Sequence, residues 1–310
     1  MSKPKRERVQ LRPLNGIVLL DKASGVSSNT ALQEVRFLFR AQKAGHTGAL
    51  DPLASGMLPI CFGEASKVAG YLLGEDKAYD VTAKLGVVTD TDDSDGVVIR
   101  ERDVPALTFE QVQDALQPFI GHIAQRAPIY SALKQGGEPL YAKARRGEVV
   151  EAPVRQVFVR KIALLDVSGG MIKMRIECGS GTYIRSIVRD LGEALGCGAH
   201  VTALRRVWVT PFAEDQMLTV EQLKQGAEGD VGVLPLEVAL AHWPKITLSG
   251  DEVRDLSHGK RVKAAAGQSP ETRLLQTVDG TALGFVDITE EGEIRGKRMF
   301  SWIQDPKFHG

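Results

Sequence analysis

Residues 45–60 read Gly45-His46-Thr47-Gly48-Ala49-Leu50-Asp51-Pro52-Leu53-Ala54-Ser55-Gly56-Met57-Leu58-Pro59-Ile60. One carboxylate, Asp51, stands among three glycines, two prolines and an apolar run. Gly45, Gly48 and Gly56 allow backbone angles and close approaches that a Cβ forbids. Pro52 pushes Asp51 toward extended backbone, so the carboxylate projects from a loop and not from a helix interior. Leu50, Leu53, Met57, Leu58 and Ile60 anchor such a loop on a core. These residue types admit two readings. One is an Asp that caps a turn or a helix start; the other is a reactive carboxylate on an apolar-walled loop.

Upstream, Gly16-Ile17-Val18-Leu19-Leu20 is a short continuous apolar run, the pattern of a strand buried on both faces. Ser27, Ser28 and Thr30 offer N-caps for a helix through about Arg40, with Leu32, Val35 and Phe39 on one face. Downstream, Ser66–Leu73 reads as a short helix. Residues 78–86 alternate as a strand with Tyr79, Val81, Ala83 and Leu85 on one face. Thr89–Gly96 is rich in Asp but fails the calcium-loop template, because Arg102 falls where a bidentate Glu is required. It reads as an acidic turn between strands. A helix is expected over Leu107–Ile120, and strands around Val157–Leu164, Ile172–Cys178 and His200–Val207. Gly179-Ser180-Gly181 breaks a strand just before a helix that begins at Thr182-Tyr183-Ile184-Arg185, which is good geometry for presenting Tyr183 and Arg185 at a site.

Residues 124–155 turn irregular and mix aromatics with cations: Tyr130, Lys134, Tyr141, Arg145 and Arg146. Such a mixture suits RNA backbone contacts and base stacking, and it also occurs on ordinary surface loops. After Leu234–Pro244 the composition shifts. Ser249–Glu252 forms a capping box, and three short strands around 272–278, 282–288 and 293–301 are separated by Asp279-Gly280 and Glu291-Gly292. A separate small β-barrel over 245–310 is expected.

The length of 310 residues suits two domains or one domain with an appended module. With 43% hydrophobic and 25% charged residues the composition is that of a globular protein. No apolar run reaches the ~20 residues of a membrane helix, and the polar, basic start has no signal-peptide core. Three cysteines lack disulfide or metal-ligand spacing, so the expected location is cytoplasmic. The net charge is zero, yet residues 1–50 carry nine Lys or Arg against three acids. A basic face can exist on a neutral protein; residues 1–13 are expected to be a flexible basic arm.

Together the motifs resemble the tRNA pseudouridine-55 synthase family of the TruB type, in its bacterial branch. The resemblance is carried by Asn15–Lys22, Ala44–Ile60, Lys77-Ala78-Tyr79, Thr89–Gly96, Tyr130–Lys134, Gly181–Arg185 and Leu191–Arg206, in family order over most of residues 14–210. It implies an α+β fold, a mixed and largely antiparallel sheet flanked by helices and loops, with the catalytic domain over 14–244 and a PUA-like RNA-binding module after it. It implies isomerisation of a uridine in the T-arm of tRNA to pseudouridine by base flipping, with no cofactor or metal, and a monomer that needs no protein partner.

Position by position, the resemblance makes Asp51 the catalytic carboxylate. Tyr79 matches the tyrosine that stacks on the target base and is a candidate to handle a proton, Arg185 the arginine that pairs with the aspartate, and Tyr183 and Leu204 residues that line the pocket. His46 matches the histidine beside the extruded nucleotide. Lys22, in a family motif, is grouped with the RNA-facing cations such as Lys43, although its main part is expected to be support of the site. A non-catalytic RNA-binding or tRNA-folding chaperone is the alternative reading. A carboxylate glycosidase is a third, and it lacks a second acid with motif support near Asp51.

Overall fold

The computed structural model describes residues 10–309. Residues 1–9 of the expected basic arm lie outside them, while its root is held down. Arg12 exchanges backbone hydrogen bonds with Arg40 and Gln42, and its guanidinium binds the Phe39 carbonyl and pairs with Asp230.

In chain order the first strands are β1 (Gly16–Lys22), β2 (Ala44–His46), β3 (Ser55–Phe62), β4 (Lys77–Leu85), β5 (Val87–Thr89), β6 (Val98–Glu101) and β7 (Gly121–Arg126). They are followed by β8 (Lys134–Gln135), β9 (Glu138–Pro139), β10 (Val154–Ser168), β11 (Met171–Cys178) and β12 (Ala199–Val209). Eight of them build one sheet in the order β1-β3-β12-β4-β11-β10-β7, with β2 beside β3. All its pairings are antiparallel except β3 with β12. This is the expected mixed, largely antiparallel sheet.

The apolar run of β1 is continuous because both faces are covered. Val18 and Leu20 join Leu58 and Ile60 in the core beneath the helices, while Ile17 and Leu19 join Met57 and Cys61 in a second core on the opposite face. The helix Ser28–Leu38 is capped by Ser27, whose hydroxyl accepts from the Thr30 amide, and it buries Ala31, Leu32 and Val35. Phe39, just past its end, packs on Phe62 at 5.5 Å between ring centroids. The helix Ile184–Ala194 buries Ile184, Ile187, Val188 and Leu191. The Gly196 and Gly198 that follow take positive φ, as a helix exit requires.

Two elements differ from the sequence-based expectation. The helix expected over Ser66–Leu73 divides into a 3-10 turn, Gly63–Lys67, and a short helix, Ala69–Leu73. The irregular stretch 124–155 is shorter than its composition implies. β7 runs through Arg126, β10 starts at Val154, and the β8–β9 hairpin and a helix, Leu140–Arg145, lie between.

The chain after residue 244 forms β13 (Lys245–Ile246), β14 (Val262–Lys263), β15 (Thr272–Gln276), β16 (Ala282–Ile288) and β17 (Glu293–Met299), a five-stranded sheet in the order β13-β15-β16-β17-β14. The capping box at Ser249 opens the helix Gly250–Ser257 as expected. This unit is less separate than its composition implies. Leu274, Phe285 and Phe300 share the second core with Ile17, Leu19 and Met57. Phe285 stacks on Tyr71 at 4.3 Å and meets Trp243 edge-on at 5.0 Å. Truncating such a side chain to Ala costs about 3–5 kcal/mol, so the seam is a structural joint. The reason is local to β1 and β3, whose rear faces are apolar and must be covered.

Candidate active site

The Asp51 loop is held from beneath by the segment that links β1 to the first helix. The Ser28 hydroxyl accepts from the Leu50 amide at 2.7 Å and stands 2.8 Å from the Leu50 carbonyl. Ser24 donates to the Leu53 carbonyl at 2.7 Å, and the Gly25 amide donates to that of Pro52 at 2.7 Å. Of the three candidate caps, then, Ser27 caps the helix and Ser28 fixes the loop. The Asp51 carbonyl accepts from the Ala54 amide at 3.1 Å, which closes the turn.

Arg185 reaches this loop from the first residues of its helix. Its Nε lies 2.9 Å from Asp51 Oδ2, and its Nη1 lies 3.2 Å from Asp93 Oδ2. Nη1 also donates to the Thr91 carbonyl at 2.8 Å, and Nη2 to the Tyr130 carbonyl at 2.9 Å. The side chains of Arg185 and Asp93 are 5% and 6% exposed, whereas that of Asp51 is 40% exposed. The guanidinium is thus spent on protein, and Asp51 is the one open carboxylate it holds. Burial raises the Asp51 pKa above the ordinary carboxylate value; Arg185 opposes the rise, the Asp93 charge adds to it, and Lys22 opposes it more weakly.

The acidic turn does more than join strands. Asp93 takes Arg185, and Asp92 takes Arg189, one helical turn on, at 3.1 Å. Asp92 sits at φ +62°, a backbone conformation Asp tolerates. Nothing in the local sequence marks Asp93, because a run of Asp beside a Gly has the composition of a solvated turn. The available signal was the pair of arginines four residues apart at Arg185 and Arg189, which puts both on one helix face.

Tyr79 and Leu204 are buried in the same core as Leu50, on the neighbouring strands β4 and β12. Tyr79 stands opposite Arg206 in that ladder, and burial raises its phenol pKa. Tyr183 precedes the arginine helix, its amide donating to Gln125 Oε1 at 2.8 Å, and it packs against the small cluster of Ala127, Leu140 and Ala152 in the 124–155 region. His46 lies on β2 with a buried, unpartnered Nδ1. Its pKa is lowered by burial and by the Arg206 charge, so the ring is neutral near pH 7.

The expected RNA-facing residues divide. Lys43, Lys134, Tyr141, Arg145 and Arg146 are on the surface or partly so. Arg145 stacks over Tyr141 at 5.5 Å, and Arg146 pairs with Glu138 and Glu148. Tyr130 is half-buried; its hydroxyl lies 3.4 Å from Asp90 and its carbonyl serves Arg185. Lys22 corrects the grouping with RNA-facing cations. It is 1% exposed, and its ammonium donates to the carbonyls of Ala23 and Val26 at 2.9 and 2.6 Å. Burial lowers its pKa to about 8. With the Pro52 carbonyl at 3.5 Å as a third acceptor, the ammonium faces backbone carbonyls of the loop and not a phosphate.

Two family models match this chain and abut between Ile184 and Arg185. The model described as TruB family pseudouridylate synthase (N terminal domain) matches residues 36–184, and that of the tRNA pseudouridylate synthase B C-terminal domain matches residues 185–241. A tRNA pseudouridine synthase B of Xanthomonas campestris pv. campestris is 54% identical over 96% of this chain and 98% of its own length. The chain belongs to the TruB family of pseudouridylate synthases. Family proteins of the same name from Xylella fastidiosa and Chromohalobacter salexigens are 51% and 44% identical, over 95% and 93% of this chain and 98% and 95% of theirs. Among solved structures the chain resembles one of a Cbf5-Nop10-Gar1 complex (TM-score 0.73, 22% identity, 98% of this chain and 94% of that one). It also resembles an H/ACA RNP bound to a substrate RNA containing 2'-deoxyuridine (TM-score 0.70, 22% identity, 94% and 86%). At that identity the likeness is one of fold.

Proposed function

We propose that this protein isomerises the family's position-55 uridine, in the T-arm of tRNA, to pseudouridine, with Asp51 as the reacting carboxylate. Membership of the TruB family makes the chain a tRNA pseudouridine synthase, an isomerase. The observation that supports the assignment of Asp51 is its pairing with a buried arginine while its own side chain remains 40% exposed. In the reaction the N1–C1′ bond breaks, the uracil turns, a C5–C1′ bond forms, C5 loses a proton and N1 gains one. The product has the mass of the substrate.

A carboxylate can attack C1′, add to C6 or remove a proton on a glycal route, and all three need it ionised, as nucleophile or as base. Arg185 favours that form where burial opposes it. Tyr79, against Leu50 and Leu204, offers an aromatic face for the loosened base. The base must first leave its stack, at a cost of a few kcal/mol. His46 at the pocket edge, Lys43, the cations of 134–146 and a PUA-like module after residue 244 are the groups we assign to offsetting that cost through RNA contacts. Among the described residues no helix is long and apolar enough to cross a membrane.

The test is release of tritium from C5-labelled uridine in tRNA, with pseudouridine mapped by mass. Wild-type protein is expected to release it, and Asp51→Asn to release none above background while still binding tRNA. Near wild-type release by Asp51→Asn would sink the assignment, and free uracil in place of a mass-neutral product would revive the glycosidase reading.

A further inference from the structure

Arg206 is the largest fully buried side chain among the described residues, at 1% exposure. Its hydrogen bonds go to backbone carbonyls, from Nε to Met57 at 2.7 Å and from Nη2 to Gly48 at 3.1 Å. Burying a guanidinium on neutral acceptors is costly, so its retention calls for a reason beyond packing.

The position supplies one. β12 inserts between β3 and β4, and Arg206 is where the two meet: it registers with Gly56 on the parallel side and with Tyr79 on the antiparallel side. Gly56 has φ +94°, and a Cβ there would collide with the Arg206 carbonyl, so the backbones are in direct contact. Directly opposed residues of an antiparallel pair project from the same face, which puts the guanidinium beside the Tyr79 ring. The same guanidinium then reaches across the start of β3 to Gly48, three residues before Asp51. Arg206 therefore spans the strand that carries the tyrosine and the loop that carries the carboxylate.

We propose that Arg206 is a positioning residue for the isomerisation, holding the Tyr79 phenol in register with the Asp51 loop and presenting that phenol with an unneutralised positive charge. This rests on the function proposed above. The charge reaches both neighbours of the pocket. It opposes the effect of burial on the Tyr79 phenol, and it reinforces burial in keeping His46 neutral. Arg185 has no such role, since its donors are used on Asp51, Asp93 and two carbonyls.

The experiment places Arg206→Lys and Arg206→Gln in the full-length protein and in its Tyr79→Phe variant. Single-turnover tritium release with enzyme in excess gives the rate, filter binding gives the tRNA Kd, and a thermal melt reports folding. Lys keeps the charge but cannot span both carbonyls, so a loss of about 10-fold in rate is expected; Gln loses about 100-fold, with Kd within about 3-fold in both. In the Tyr79→Phe background both substitutions cost less than about 3-fold, because the hydroxyl they serve is gone. That background stays measurable, since a side chain in acid–base work contributes about 10²–10⁴-fold. Equal losses in the two backgrounds, equal losses for Lys and Gln, or a loss confined to Kd would overturn the proposal. If the Gln variant does not fold, the Lys pair decides on the same comparison of backgrounds. Failure of the wild-type protein to release tritium would strike the proposed function before any Arg206 variant is compared.

Discussion

Replacing Arg185 with Met removes one guanidinium from two different jobs, and the structure says how each is affected. Toward Asp93 the pair is buried on both sides, and breaking a buried pair by deleting one partner costs about 3–5 kcal/mol. Toward Asp51 the partner is 40% exposed, so solvent screens the loss and the stability term is smaller. The melting temperature is expected to fall by roughly 6–15 °C. Catalysis suffers differently. Without Arg185, the terms that raise the Asp51 pKa, burial and the Asp93 charge, go unopposed except by Lys22. A smaller fraction of Asp51 is then ionised near pH 7, and its orientation is lost. Single-turnover tritium release, at enzyme excess and well below the melt, is expected to drop about 10²–10³-fold. The tRNA Kd should change less than about 3-fold, because the bonds to Asp51, Asp93, Thr91 and Tyr130 occupy all three guanidinium nitrogens. If affinity falls as far as rate does, Arg185 is an RNA contact and the reasoning fails.

Wild-type activity should decline as pH falls through a value above the ordinary carboxylate range, because the folded-state pKa of Asp51 is raised and the reacting form is the anion; a rate–pH profile flat to pH 4 would contradict this. Asp93→Asn removes the charge that helps raise that pKa, so the acid limb should move to lower pH while the plateau rate drops about 10-fold or more as Arg185 loosens. Gly56→Ala should destabilise by about 3 kcal/mol or more, since the new Cβ meets the Arg206 backbone at a φ that L residues avoid; a melt within 2 °C of wild type, on the order of 1 kcal/mol, would contradict it. Lys22 has a folded pKa lowered to about 8, below its unfolded value, so the unfolded chain binds the extra proton between about pH 8 and 10.5. Stability attributable to Lys22 therefore rises with pH across that window, and the melting temperature of wild type relative to Lys22→Met should rise with it.

Much of the molecule is legible in one dimension. The unbroken apolar run of β1 announces burial on both faces, the alternation of β4 announces one buried face, and the helix starting at Ile184 shows its stripe in Ile187, Val188 and Leu191. Those patterns follow from the periodicity of strands and helices, which is local. The Asp51 loop is legible for the same reason, because Pro52 and the glycines act on their own backbone. What periodicity does not carry is the identity of the residue across a ladder or at the far end of a long side chain. Asp93 and Arg185 are 92 positions apart in the numbering, and Arg206 meets Gly48 across 158. Arg185 stands out in sequence through its glycine turn and the family motif, but Asp93 and Arg206 look like surface charges, because composition prices a charge by its average environment and only packing shows that they are buried. The rear seam with the C-terminal sheet escaped notice likewise, since Phe285 and Tyr71 gain their meaning only when the two sheets close on each other. Local periodicity and backbone chemistry suffice for the elements, the Asp51 loop and the motif order that names the family. That Asp93 backs the carboxylate's arginine and that Arg206 ties Gly48 to the sheet emerges only from packing, because strand register and side-chain reach are set when the whole sheet is assembled.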